Sequence, residues 1–214
     1  MVKIQVNSRG KAYSVNNKVL AANDKRPGKY QLFERIVDDN ENEIGTVSGF
    51  FTDSNNNEYA VVCLDAQYRL DNNAYWDQSQ ASIPNLPIYD KIANALSATE
   101  TATQNCNWIV AATTSGAVEF CRTKYFTIDG TTYYGQLPNL AELVEIVIHK
   151  THINSLDPTL EDYPGVAVGG TKSLWSSTKY GVLYAYCINS LQVASAQINN
   201  TALNPLPILE LPNS

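Results

Sequence analysis

From residue 2 to residue 20 apolar and polar positions alternate: Val2, Ile4 and Val6, then the break Asn7-Ser8-Arg9-Gly10, then Tyr13 and Val15. A period of two around a glycine-bearing turn predicts a β-hairpin, and Asn16-Asn17 marks a second turn. The stretch from Ala21 to Lys29 is polar and holds Pro27 and Gly28, the composition of a linker or an extended arm. Residues 30–38 fit a short strand or a helical turn, and the pattern does not choose between them. Near Gly45 the character changes. An apolar run to Phe51, an Asn-rich break at Asp53 to Asn57 and a second run from Glu58 to Leu64 predict another hairpin. The domain boundary is therefore expected near residue 44.

Further on, residues 71–87 read as loop around Trp76 and a proline-rich stretch. Ile88, Ile92 and Leu96 recur every fourth residue and predict a helix over about 88–97. Residues 98–107 are polar, and Trp108 to Ala111 is a short apolar run. Val118, Cys121 and Tyr125 stand at helical spacing. The strongest periodicity is Leu140, Leu143, Val144, Val147 and Ile148, one face of a helix over 140–149. Asn139 suits its N-cap, Glu142 can return a hydrogen bond as in a capping box, and Pro138 blocks extension backward. Residues 153–172 are irregular. Tyr180 to Asn189, Ser195 to Asn200 and Leu206 to Leu211 read as strands, and Trp175 lies just before them.

Composition narrows the class. The chain has 214 residues, a formal charge of −6 and only 17% charged residues, with amides and hydroxyls making up much of the polar remainder. An acidic chain argues against a nucleic-acid partner or an anionic membrane surface. No apolar stretch reaches the ~18 residues of a membrane span, so no membrane insertion is expected. The opening residues lack the roughly 7–15-residue apolar core of a secretory leader, which predicts synthesis in a cytoplasm without signal-directed export. Cys63, Cys106, Cys121 and Cys187 form no C-x-x-C pair and three of them sit among apolar neighbours. They read as buried free thiols rather than zinc ligands, with a Cys106–Cys121 bridge as the alternative.

Candidate chemistry is sparse. His149 and His152 are the only histidines and lack the third ligand and the intervening Glu of a zinc motif. No nucleophile elbow and no phosphate-cradling glycine loop occurs. Asp157, Glu161 and Asp162 share a loop, the raw material of a carboxylate pair, but also of a solvated acidic loop. Asp53 to Glu58 reads as a turn before it reads as a calcium loop. The Asn199-Asn200-Thr201 sequon has no exported context to act in. No metal or cofactor is expected. What remains is a face rich in tyrosine and amide near residues 180–189, the composition of a binding surface, or of a strand whose one side packs inward.

Two segments bear on each other. Residues 136–143 read QLPNLAEL, and residues 175–178 read WSST, followed by Lys179-Tyr180 and then Ala185-Tyr186. With AVEFCR at 117–122, the hairpin DSNNNEYAVV at 53–62 and the closing LPILEL at 206–211, this order resembles the C-type-lectin-like domains of bacteria and their phages. Among these are the variable ligand-binding proteins diversified by retroelements. Gln136 stands where that family often has Arg, Lys179 where it has Glu, and Tyr186 where it has Trp. The calcium signatures of sugar-binding animal lectins are absent.

The resemblance implies an α+β fold: a C-type-lectin-like domain over 44–214, preceded by a small β-rich segment, 1–43. It implies Trp175 as a core anchor, with the following Ser-Ser-Thr bonded to the long loop. It places a ligand face on Lys179, Tyr180, Tyr184, Tyr186 and Asn189, with Leu183, Ala185 and Cys187 turned inward. The expected role is a non-enzymatic bacteriophage virion protein of fibre or adhesin type. Residues 1–43 would attach it to other virion proteins, the tyrosine face would meet a host-surface protein or glycan, and the assembly would be a homo-oligomer, a trimer favoured. The alternatives are a purely structural decoration or head-fibre subunit, and a carbohydrate-active enzyme.

Overall fold

The computed structural model describes residues 28–69, 73–77, 82–189, 193–199 and 201–213. The hairpin and turns expected within residues 2–20, and most of the arm at 21–29, lie outside them. In chain order the elements are β1 (Arg35–Val37), β2 (Glu43–Thr52), β3 (Glu58–Leu64), β4 (Ala74–Tyr75), α1 (Ile92–Leu96), α2 (Ala102–Ala112) and α3 (Gly116–Arg122). Then come β5 (Tyr125–Ile128), β6 (Thr131–Tyr134), α4 (Leu140–Ile148), α5 (Lys150–Leu156), β7 (Leu174–Gly181), β8 (Tyr184–Ile188), β9 (Ala194–Ile198), β10 (Ala202–Leu203) and β11 (Ile208–Pro212). This mixture of helix and sheet fits the α+β class.

The main sheet runs β1-β2-β3-β11, all antiparallel, so the last strand returns to the side of the first hairpin. The β2–β3 turn forms as its sequence predicts. Asp53 Oδ1 accepts from the backbone N–H groups of Asn55 and Asn57 at 2.8 and 2.9 Å, and Asn56 takes a left-handed φ of 62°. Strand β3 shows why both faces are apolar: Ala60, Val62 and Leu64 point to one cluster, Val61 and Cys63 to another. The first cluster is roofed by Phe126 and Ile128 of the β5–β6 hairpin. That hairpin was not foreseen. Its turn is Asp129-Gly130, both at positive φ.

Tyr30 and Ile36 join the same cluster and β1 pairs with β2, so the packed body already includes residue 30. The boundary expected near residue 44 therefore moves toward the N-terminus, and residues 30–38 resolve as a turn followed by a strand.

Helix α4 lies between the two largest sheets, touching β2 on one side and β7 and β8 on the other. Both halves of its capping box are made: Glu142 N–H donates to Asn139 Oδ1 at 2.9 Å and Asn139 N–H donates to Glu142 Oε2 at 2.7 Å. Leu140, Leu143, Ile146 and Val147 are buried, whereas Ile148, placed on the apolar face by its spacing, is 66% exposed. The helix can approach β2 because of Gly49, where an added Cβ would sit 3.1 Å from the Glu145 Cβ. The neighbouring register shift frees the Ser48 carbonyl, which lies 2.7 Å from His149 Nδ1.

Three helical readings change. Ile88, Ile92 and Leu96 are 52%, 42% and 40% exposed, and α1 buries Ala95 instead. The polar stretch 98–107 contains the start of an eleven-residue helix, α2, capped by Thr101 and Gln104 in a second capping box. The first residues of the stretch read as irregular, 153–156, belong to a further helix, α5.

The third layer is the sheet β7-β8-β9. Leu174, Tyr186 and Ile188 face the α4 side, whereas Trp175, Ala185 and Cys187 face Trp76, α2 and α3. Trp175 is fully buried and its indole N–H donates to the Ala74 carbonyl at 3.0 Å, as a core anchor requires. The hydroxyls after it do not reach the long loop. Ser176 Oγ donates to the Tyr186 carbonyl at 2.9 Å, Ser177 Oγ accepts from Asn105 Nδ2 at 3.3 Å, and Thr178 Oγ1 accepts from Leu140 N–H at 2.9 Å. Short hydroxyls fit there because the sheet passes within one hydrogen bond of the α4 start.

Candidate functional site

The expected single strand from Tyr180 to Asn189 is a hairpin. Tyr180 and Gly181 close β7, Val182 and Leu183 make the turn, and Tyr184 opens β8 opposite Gly181. Tyr180 and Tyr184 consequently meet across the hairpin, rings T-shaped with centroids 6.2 Å apart. Tyr184 pairs with Ile198 of β9 on its other side. Tyr180, Val182, Leu183, Tyr184 and Ile198 are each between 39% and 55% exposed. They form an apolar tip at one end of the sheet.

The remaining expected ligand-face residues do not join this tip. Tyr186 points to the same side of β8 as Tyr184, but it is 1% exposed. Tyr180 stacks edge-on over it at 5.5 Å, and its hydroxyl donates to the Tyr89 carbonyl at 3.0 Å. Lys179 is 2% exposed. Its ammonium lies 5.7 Å from the Trp76 ring centroid and near Asp77, and burial lowers its affinity for a proton below the ordinary lysine level. The edge of β7 at Lys179 is covered by the 88–89 segment, whose Tyr89 N–H donates to the Lys179 carbonyl at 3.0 Å. Asn189 is at the surface but at the opposite end of β8, roughly 16 Å away along the strand. There its Oδ1 accepts from Val193 N–H. Leu183, expected inside, is 42% exposed because it occupies the turn, whereas Ala185 and Cys187 are buried as expected.

The tip is held by a residue the motif reading overlooked. Asn199 is fully buried; its N–H donates to the Leu183 carbonyl at 2.9 Å and its Nδ2 to the Val182 carbonyl at 3.4 Å. Its own carbonyl accepts from Trp76 and Asp77 N–H groups at 3.1 Å each. The Trp76 indole in turn donates to the Ser176 carbonyl at 2.7 Å. A chain of bonds thus ties the hairpin turn to the core. The burial of Asn199 also takes the sequon out of reach of a modifying enzyme.

Other candidate groups have structural duties. All four cysteines are free and buried, and desolvation raises each thiol, Cys106 to about 12, which is unsuited to nucleophilic or metal-binding work. His149 and His152 both pack on the Phe33 ring, at 5.1 and 4.8 Å between centroids. Asp157 is not a solvated loop acid: it is buried, pairs with Arg69 at 3.2 Å and accepts from Ala66 N–H at 2.8 Å. Glu161 and Asp162 are exposed.

One carboxyl pair does exist. Glu210 on β11 accepts from the N–H groups of Ala102 and Thr103 at 2.8 and 2.9 Å, and so closes the start of α2. Glu142, at the start of α4, faces it, and burial first and Glu210 second push the Glu142 carboxyl well above the usual range. With 1% and 8% exposure both acids are buried between the helix starts. No protein-family profile, no curated protein and no solved structure matches this chain.

Proposed function

We propose that this chain is a non-enzymatic bacteriophage virion protein of C-type-lectin-like fold. In this reading the tip formed by Tyr180, Val182, Leu183, Tyr184 and Ile198 grips a host-surface ligand. The observation that carries the reading is that tip: five large apolar side chains gathered at the free end of a sheet whose strands β7 and β8 are otherwise packed on both faces. A rigid scaffold presenting a compact apolar surface is the physical form of a recognition site. Paired tyrosines offer large contact area at low entropy cost.

The fold assignment is supported by chain order. A first hairpin receives the returning last strand, two capped helices lie between, and the sheet that starts at WSST is inserted before the close. The motifs fall where such a domain would need them, Pro138 at the start of α4 and Trp175 in the core. The same reading has residues 1–43 attach the chain to other virion proteins, in a homo-oligomer for which a trimer is favoured.

The test uses the purified chain and envelopes of the host bacterium. Tyr184→Ala is expected to weaken binding at least about tenfold while leaving the melting temperature nearly unchanged. Unchanged binding removes the tip from the ligand site. If imaging of the native particle finds the tip covered by neighbouring copies, the chain is a structural subunit instead.

A further inference from the structure

We propose a second ligand site, distinct from the hairpin tip, that takes a small polyhydroxylated carboxylate. It is a cleft of about 370 Å³ lined by Thr103 and Asn107 of α2, Arg122 at the end of α3, Tyr134 at the end of β6, and Gln136. The cleft has room for a ligand the size of a six-carbon sugar acid, and every lining side chain offers a polar group.

The cleft is built by close packing. Gly135 presses the chain against the last turn of α3, where any Cβ would collide with the Cys121 carbonyl oxygen. That brings Tyr134 and Gln136 beside Arg122. Gln136 is 5% exposed; its backbone N–H and carbonyl bond to Ile208 at 2.8 and 3.0 Å, and its Nε2 donates to the Tyr134 carbonyl at 3.0 Å. Its Oε1 is thereby turned toward Arg122.

Arg122 supplies the charge. Its Nη2 donates to Asn107 Oδ1 at 2.6 Å and to Gln136 Oε1 at 3.4 Å. Its Nε is sealed from solvent with no acceptor. Among the described residues no carboxylate lies within ion-pair distance of this guanidinium. The nearby Glu210 is engaged by the α2 start and by Thr103 Oγ1.

A cation fixed by two neutral amide oxygens is oriented without being neutralised; Nη2 is taken up by those oxygens, so Nη1 is the group that meets a ligand carboxylate. Asn107 keeps its Nδ2 as a donor, and Thr103 Oγ1, whose proton goes to Glu210, keeps an acceptor site, both suited to ligand hydroxyl groups. The exposed Tyr134 ring stands at the rim, tilted against Tyr125 at 6.1 Å. A carboxylate on a chain of hydroxyl-bearing carbons pairs with Nη1 while its hydroxyls meet Asn107 and Thr103.

Calorimetry on the full chain tests this with glucuronate as probe and glucose, acetate and inorganic phosphate as controls. Glucuronate is expected to bind in the millimolar range or tighter, with each control at least about tenfold weaker. Arg122→Gln should lose roughly ten- to a hundredfold in affinity. Because Arg122 also ties Asn107 to Gln136, thermal melting accompanies that variant. Tyr134→Ala, at the rim, should weaken glucuronate with no change in melting and carries the test if Arg122→Gln does not fold. The proposal is overturned by absent glucuronate binding, by glucose or acetate binding equally well, by phosphate binding more tightly, or by a folded Arg122→Gln that binds as before.

Discussion

Along β3 each side chain from Ala60 to Leu64 has a layer above or below it: the β5–β6 hairpin on one side, α4 on the other. Along β8 the same alternation starts at Tyr184 and is covered only from Ala185 onward. The two sheets use similar residues, and both are sandwiched. They differ in how far their covering elements reach. The cover of the three-stranded sheet stops short of the β7–β8 turn, so its last apolar residues stay in water. Composition along a strand therefore says which side of the sheet a residue occupies, while the length of the neighbouring layer decides whether that side is core or surface.

The sharpest way to break this comparison is to ask whether the second sheet is as firmly anchored as the first. Trp175→Ala should destabilise the protein by about 3–5 kcal/mol, close to the ~2–5 kcal/mol expected for Leu209→Ala in the main sheet. Urea unfolding of both variants measures it. A Trp175→Ala cost below about 1 kcal/mol would mean that the three-stranded sheet is loosely applied, and the rigid scaffold proposed for the tip would be lost.

A smaller effect probes the covering layer. Helix α2 shields Trp175 and Cys187, and its start depends on Thr101 accepting from Gln104 N–H at 3.1 Å. Thr101→Ala should cost about 1 kcal/mol, read as a lowered urea midpoint with the slope unchanged. No loss at all would assign the whole stabilisation of that start to Glu210, which grips the next two N–H groups from β11.

How much of this was legible follows from where each signal resides. The α4 cap was legible because Asn139, Glu142 and the apolar residues lie within one short window, and local geometry alone links them. The same signature at Thr101-x-x-Gln104, with Ala102, Cys106 and Ile109 at helical spacing, was present but masked by Asn, Gln and Thr on the exposed face. The Asp129-Gly130 turn was equally local and equally overlooked.

Other features were not local at all. Lys179 and Tyr186 are buried by partners about a hundred residues away in sequence, Trp76 and Tyr89. A strand read alone cannot reveal that. For Tyr180 to Asn189 the decisive error was topological. The resemblance counts Tyr180 and Asn189 in one ligand face, whereas the turn at Val182-Leu183 places them at opposite ends of β8. Asn199 was seen only as part of a sequon, since its bonds to the hairpin turn exist only in three dimensions.

The finest probe acts where the two sheets are joined. Glu142 belongs to the helix between them and Glu210 to the main sheet, and Glu142 Oε1 has no donor directed at it. Because burial and Glu210 raise the Glu142 carboxyl, the folded state keeps a proton over a pH range in which the unfolded chain, titrating near the ordinary 4.5, has already released it. More protons bound in the folded state make stability fall as pH rises. The fall should begin near that ordinary value and continue until the folded carboxyl itself ionises. Glu142→Gln keeps an oxygen for Asn139 N–H and places an amide donor toward Glu210, but it cannot titrate. Its signature is a flatter profile: stability close to the parent at mildly acid pH and higher than the parent at neutral pH, in urea unfolding across that range. Parallel profiles would show that no proton is held at this junction, and the two sheets would then be joined by apolar packing and helix capping alone.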